Sequence, residues 1–203
     1  MTSAAEQSTA AASDEQIAWL PVADATVTED EDVRRLFDRA IERLGFIPNV
    51  FKVYAARTEH FKKWRPHFSE VTIGESELTV AEREMIAVAV SAENHCLYCL
   101  TAHGAGLRQA LGDQVQGDRI TLDYRRAGLD ERTTAMLDYA VKITKAPVEC
   151  SEADIERLRA AGFSDQAIWD IIETAAMYNF TNRIAAASGM LPNREYHMLG
   201  REG

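Results

Sequence analysis

The chemistry in this chain is concentrated in Cys96, Cys99 and His103, within the run His95-Cys96-Leu97-Tyr98-Cys99-Leu100-Thr101-Ala102-His103. A helix with about 3.6 residues per turn puts offsets of 0, 3 and 7 within roughly 60° of one another. The spacing therefore predicts two sulfurs and an imidazole on one helical face. Cys99 and His103 are four residues apart, so the ring can meet the thiol and take its proton. A cysteine near a helix N-terminus is favoured as thiolate, and Asn94 is read as the cap that gives Cys96 this position. Two intervening residues let the pair close a disulfide. A dithiol of this kind can attack a peroxide or a disulfide and then resolve itself.

Elements that hold these residues are helical throughout. Val33, Leu36, Phe37, Ile41 and Leu44 recur at spacings of three and four behind an acidic start, and Gly45 ends that helix. A second helix opens at Pro48 and Asn49, and a third covers 60–70. Thr79-Val80-Ala81-Glu82 is a capping box for a helix over 80–93. The next is expected over 96–111, ending at Gly112. Asp130, Ser151 and Ser164 begin three more, the last extending to about Ser188. No run alternates apolar and polar residues for long enough to require a sheet. The fold class is all-α, a single helical domain over 17–203 preceded by a flexible tail over 1–16. Ile17 to Thr28 is read as an extended strap in which Trp19 is an anchor. Trp64 and Trp169 fall in apolar helical patterns and are expected in the core.

Composition narrows the function. The chain has 203 residues, 46% hydrophobic and 27% charged, and a formal net charge of −10 from 32 acidic and 22 basic side chains. That balance repels phosphate backbones and argues against nucleic acid as a partner. The N-terminus lacks the basic and apolar regions of a secretory signal, and no apolar run is long enough to span a bilayer. The expected compartment is the cytoplasm. Three cysteines form no structural framework in such a chain, and Cys150 reads as a bystander.

The simpler readings are two buried core cysteines, or a zinc site built from Cys96, Cys99 and His103. The zinc reading lacks a second Cys/His pair nearby. Glu84, twelve residues before Cys96, would be about 18 Å away on one straight helix. A chain break near Asn94 would let it return toward the thiols. Asn179, Asn182 and Arg183 interrupt the apolar pattern of the last helix. They serve buried hydrogen bonding or a subunit contact, or else line a pocket.

The spacing Glu84, eleven residues, then Cys96-x-x-Cys99-x-x-x-His103 resembles the signature of the AhpD-like (alkylhydroperoxidase D) branch of the carboxymuconolactone decarboxylase superfamily. Leu44-Gly45-Phe46-Ile47-Pro48-Asn49-Val50-Phe51 and Tyr178-Asn179-Phe180-Thr181-Asn182-Arg183 resemble its peroxidase-related subgroup. Together the resemblance covers roughly residues 19–196. It implies an AhpD-like helical bundle, assembly into homo-oligomers (dimers, trimers or hexamers), and peroxide reduction without metal, flavin or haem. It further implies Cys99 as the attacking thiol, Cys96 as the resolving thiol, and Glu84 with His103 as a proton relay. A peroxide and a dithiol reductant are the implied partners. AhpD proper has a further His between the cysteines where this chain has Tyr98, and a phenol that titrates near about pH 10 cannot replace it as a base. The other readings are a carboxymuconolactone decarboxylase-type enzyme, whose branch generally lacks the cysteine pair, and a non-catalytic redox-sensing oligomer.

Overall fold

A computed structural model describes residues 16–23 and 28–201. The tail read over 1–16 lies, except for Gln16, outside the described residues. Among the described residues nine α-helices follow in order: α1 (Glu31–Leu44), α2 (Asn49–Ala55), α3 (Thr58–Ile73), α4 (Val80–Glu93), α5 (Leu97–Leu111), α6 (Gln114–Asp123), α7 (Glu131–Lys145), α8 (Glu152–Ala160) and α9 (Asp165–Ala187). Short 3₁₀ turns cover Tyr124–Arg126, Pro147–Glu149 and Arg194–His197. Among the described residues there is no strand, and no helix is long and apolar enough to cross a membrane.

The sequence signals act as local stops and starts. The Asp30 carboxylate accepts from the amides of Asp32 and Val33 at 3.0 and 3.1 Å, and Gly45 closes α1 at φ +81°. Thr79 and Glu82 form the reciprocal capping box of α4. Asp130 accepts from the Thr133 amide, and Ser164 from that of Ala167, opening α7 and α9.

The fold is organised around α4. Residues Met85, Ile86, Ala87, Val88, Ala89, Val90 and Ser91 are all buried, so the helix is covered on every side. An apolar segment without a polar face has this one stable place in a soluble bundle. It packs against α5, α6, α7 and α9. Phe37, Phe61 and Val33 form a separate cluster that ties α1 to α2 and α3. Of the strap read over 17–28, residues 24–27 lie outside the described residues, and its first part is fixed by backbone bonds from Trp19 to Ser188 and from Leu191 to Ile17. The Trp19 ring lies over Gly189, where a Cβ would clash.

Three expectations need correction. Helix α5 begins at Leu97 rather than Cys96, and Asn94 closes α4 instead of capping α5. The reason is a sharp reversal at His95, which has φ +50°. Trp169 is 60% exposed and is not a core residue. Helix α6 was not foreseen because Val115 and Leu122 face solvent and leave few buried apolar positions. Its one readable signal was Asp113, which accepts from the Gln116 amide as N-cap.

Candidate active site

The reversal between α4 and α5 decides the position of the first thiol. Cys96 has extended backbone angles and is the N-cap of α5, so it sits at the entrance of the helix that carries Cys99 and His103. Helix α9 holds this turn in place. The Asn94 amide donates at 3.0 Å to both Asn179 and Asn182, and Asn182 donates at 3.0 Å to Ser91. The Ser91 carbonyl in turn accepts from the Cys96 backbone N–H at 3.0 Å. Of the two roles considered for the α9 residues, buried hydrogen bonding is the one observed. Arg183 is exposed and, among the described residues, bonds only to Asn179 within its own helix.

Both thiols are buried and unoxidised, and a hydrogen bond links them. The Cys99 thiol donates to the Cys96 sulfur and does most to lower the Cys96 pKa, while burial acts against the shift. The Cys99 amide, the His103 ring and the Tyr98 amide add to the effect and lower the Cys96 pKa to about 7. These amides approach the sulfur without forming a full capping hydrogen bond. Cys99 is pushed well upward, first by its bond to Cys96 and then by burial, while Asn182 and Thr181 act against the shift. The pair therefore titrates as a unit, with its first negative charge resting on Cys96.

His103 is supported from two directions. Its Nδ1 lies 2.9 Å from Glu84 Oε2. A carboxylate can only accept, so in the neutral ring Nδ1 carries the proton and Nε2 keeps a lone pair. The buried Tyr178 ring packs edge-on against the imidazole with centroids 4.7 Å apart. Glu84, on α4, reaches His103 because the chain reverses, which removes the separation of about 28 Å that 19 residues would impose along a straight helix. Gly106 provides the space, since a Cβ there would lie 3.0 Å from the Glu84 carboxylate atoms. Gly106→Ala is expected to displace that carboxylate and slow any reaction that uses the relay by about tenfold, a loss of about 1.4 kcal/mol of transition-state stabilisation. Steady-state rates beside an unchanged melting temperature would check this. An unchanged rate would remove Gly106 from the argument.

A cavity of about 250 Å³ leads to the thiols. Val50, Phe51, Trp64 and Phe68 give it an apolar wall. Cys99, His103 and Tyr98 line it, and Cys96 does not. The Tyr98 hydroxyl accepts from the Val50 amide at 3.3 Å, which gives this residue a structural role. Near the thiols, the buried Tyr54 hydroxyl has no hydrogen-bond partner among the described residues, and burial followed by the charges of Cys99 and Cys96 raises its pKa. No group of three or more His, Cys, Asp or Glu among the described residues is arranged to hold a metal.

The four residues singled out from sequence, Glu84, Cys96, Cys99 and His103, thus meet at one place. Sequence reasoning missed Tyr178, Tyr54, Thr181 and Gly106. Tyr178 and Thr181 fall in the segment that resembles the peroxidase-related subgroup but took no role from it, and Gly106 carried a signal as a glycine inside a helix, which often marks close approach of a neighbour.

The carboxymuconolactone decarboxylase family profile matches residues 59–120. An uncharacterized peroxidase-related protein from Silicibacter sp. TM1040 is 42% identical, with 92% of this chain and 97% of that one covered and a TM-score of 0.87. A second such protein, from Ralstonia eutropha JMP134 and described as an alkylhydroperoxidase AhpD core, is 38% identical over 93% and 99%, with a TM-score of 0.89. The debrominase Bmp8 is 15% identical over 92% and 96%, with a TM-score of 0.73, a likeness of fold alone. No curated protein matches. These similarities place the chain in a class of all-helical proteins built around an AhpD-like core. It belongs to the carboxymuconolactone decarboxylase family, in the AhpD-like branch of peroxidase-related proteins.

Proposed function

We propose that the protein is a thiol-dependent peroxidase that reduces hydroperoxides through a Cys96–Cys99 dithiol–disulfide cycle. The observation that carries this reading is the hydrogen-bonded thiol pair beside a cavity that is also lined by His103, itself backed by Glu84. Cys99 has access to the cavity and is assigned the attack. Its proton passes to the Cys96 sulfur or to His103 Nε2 as the Cys99–oxygen bond forms and the peroxide O–O bond breaks. The products are a Cys99 sulfenic acid and an alcohol, once the leaving alkoxide has taken up a proton. The Cys96 sulfur then attacks the sulfenic sulfur, forming the disulfide and releasing water. An external dithiol returns the pair to its reduced form and leaves as a disulfide. Over one cycle, a hydroperoxide and a dithiol become an alcohol, water and a disulfide.

The test is consumption of cumene hydroperoxide with excess dithiothreitol by the wild type and by His103→Ala. Sustained turnover, slowed about 10²-fold or more in the variant, is expected from the usual contribution of a positioned acid–base group. A wild type that oxidises once and stops would support a redox sensor instead. Failure to oxidise at all would sink the reading.

A further inference from the structure

The cavity beside the thiols continues into a larger cleft of about 850 Å³ between α1 and α3. The two spaces share Leu44, Phe51, Arg65, Phe68, Glu84 and His103 along their walls. Five cationic side chains line the outer cleft, against two carboxylates, Asp32 and Glu84. This local excess runs against the net charge of −10 for the whole chain. The carboxylates are already engaged. Asp32 binds Arg35 at 2.7 Å and Lys62 at 3.2 Å, Lys62 also binds Asp30, and Glu84 binds His103.

Arg39, Arg43 and Arg65 remain, and none has an acidic partner among the described residues. Arg39 and Arg43 lie one turn apart on α1, where like charges repel. Arg65 is half-buried on α3, with its guanidinium 5.3 Å from the Phe51 centroid and 6.0 Å from that of Phe68. Its Nε–H is buried without a hydrogen-bond partner among the described residues, although another of its nitrogens donates to Ser69. Burial lowers the Arg65 pKa, and repulsion from Arg43 and Arg39 lowers it further, so the three cations feel one another. An unpaired donor and crowded like charges beside aromatic walls suit one kind of ligand, an anionic group attached to an apolar body.

We propose that this cleft binds an organic anion, with its carboxylate held by Arg39, Arg43 and Arg65 and its apolar body directed along Phe51 and Phe68 toward Cys99. The proposal rests on reading the inner cavity as the peroxide site, and it names the substrate class as hydroperoxides that carry a carboxylate. Steering follows from the same charges, since a cleft of one sign raises the local concentration of oppositely charged ligands.

Calorimetric titration of the reduced full chain with octanoate and with octanamide tests the binding claim without any turnover. Octanoate is expected to bind at least about tenfold more tightly than octanamide. The double variant R39Q/R43Q should reduce that preference by about tenfold, and 0.5 M NaCl should weaken it in the wild type. Equal affinity for acid and amide, no octanoate binding at millimolar concentration, or an unchanged preference in R39Q/R43Q would each overturn the proposal. A second arm compares turnover of a carboxylate-bearing hydroperoxide with its methyl ester. The acid is expected to have the lower KM, and this advantage should collapse in R39Q/R43Q. Octanoate binding that behaves as expected, in a protein that turns over neither hydroperoxide, would sink the peroxidase reading while leaving the anion site standing.

Discussion

Cys99→Ser is expected to lower peroxide reduction by at least about 10³-fold and to remove even the first equivalent consumed, the usual result of deleting an attacking nucleophile. Cys96→Ser should instead consume one equivalent and stop, with a sulfenic acid left on Cys99. The difference comes from access. The inner cavity is lined by Cys99 and not by Cys96, although the resting negative charge lies on Cys96. The hydrogen bond between the sulfurs reconciles these facts, because shifting its proton from Cys99 to Cys96 moves the charge to the accessible atom. Since the pair loses its first proton near the Cys96 value of about 7, the wild-type burst rate should rise from pH 5 and level off above about pH 8. Below that range both sulfurs are protonated and no thiolate exists to attack. Dimedone trapping followed by mass spectrometry reads the modified cysteine directly. A trapped sulfenic acid on Cys96 in Cys99→Ser, with none on Cys99 in Cys96→Ser, would reverse the assignment.

What could be read in the sequence follows from which interactions are local. Capping residues declare themselves within four positions, so Thr79 with Glu82, Asp130 and Ser164 marked their helix starts correctly. Cys99 and His103 are also local, one turn apart in α5. The relation of Glu84 to His103 is different, because it depends on how tightly the chain reverses at His95. A lone histidine in a left-handed conformation has no sequence marker, and that residue moved Cys96 off the helix. The arginine-lined cleft was equally hidden. Arg39 and Arg43 look like an ordinary solvated face of α1 until α3 brings Arg65 opposite them. Tyr178 and Gly106 matter only through neighbours 75 and 22 positions away in the chain, His103 and Glu84, so periodicity alone gives no reason to choose them.

Asn182→Leu is expected to destabilise the fold by about 2–4 kcal/mol, from two lost buried hydrogen bonds and one stranded hydroxyl. Asn182 is 1% exposed, and its side chain both accepts from Asn94 and donates to Ser91. Leucine fills a similar volume but leaves the Ser91 hydroxyl, which is fully buried, without that donor. Asn94 would keep its bond to Asn179, so the turn is weakened rather than freed. For a chain of this size the cost corresponds to a fall of about 5–15 °C in melting temperature. The same change removes a bond that favours ionised Cys99, so thiolate reactivity should also decline in the molecules that remain folded. Asn179→Ala serves as the comparison. It leaves the Asn94–Asn182–Ser91 chain in place and should cost less than half as much. Thermal denaturation of the reduced proteins measures the first effect, and iodoacetamide labelling against pH measures the second. A melting temperature within about 2 °C of wild type for Asn182→Leu would mean that the turn is held by packing of Cys96 and Tyr98 against Met190 and Ala185. An unchanged labelling profile would mean that α9 supports the thiols only mechanically.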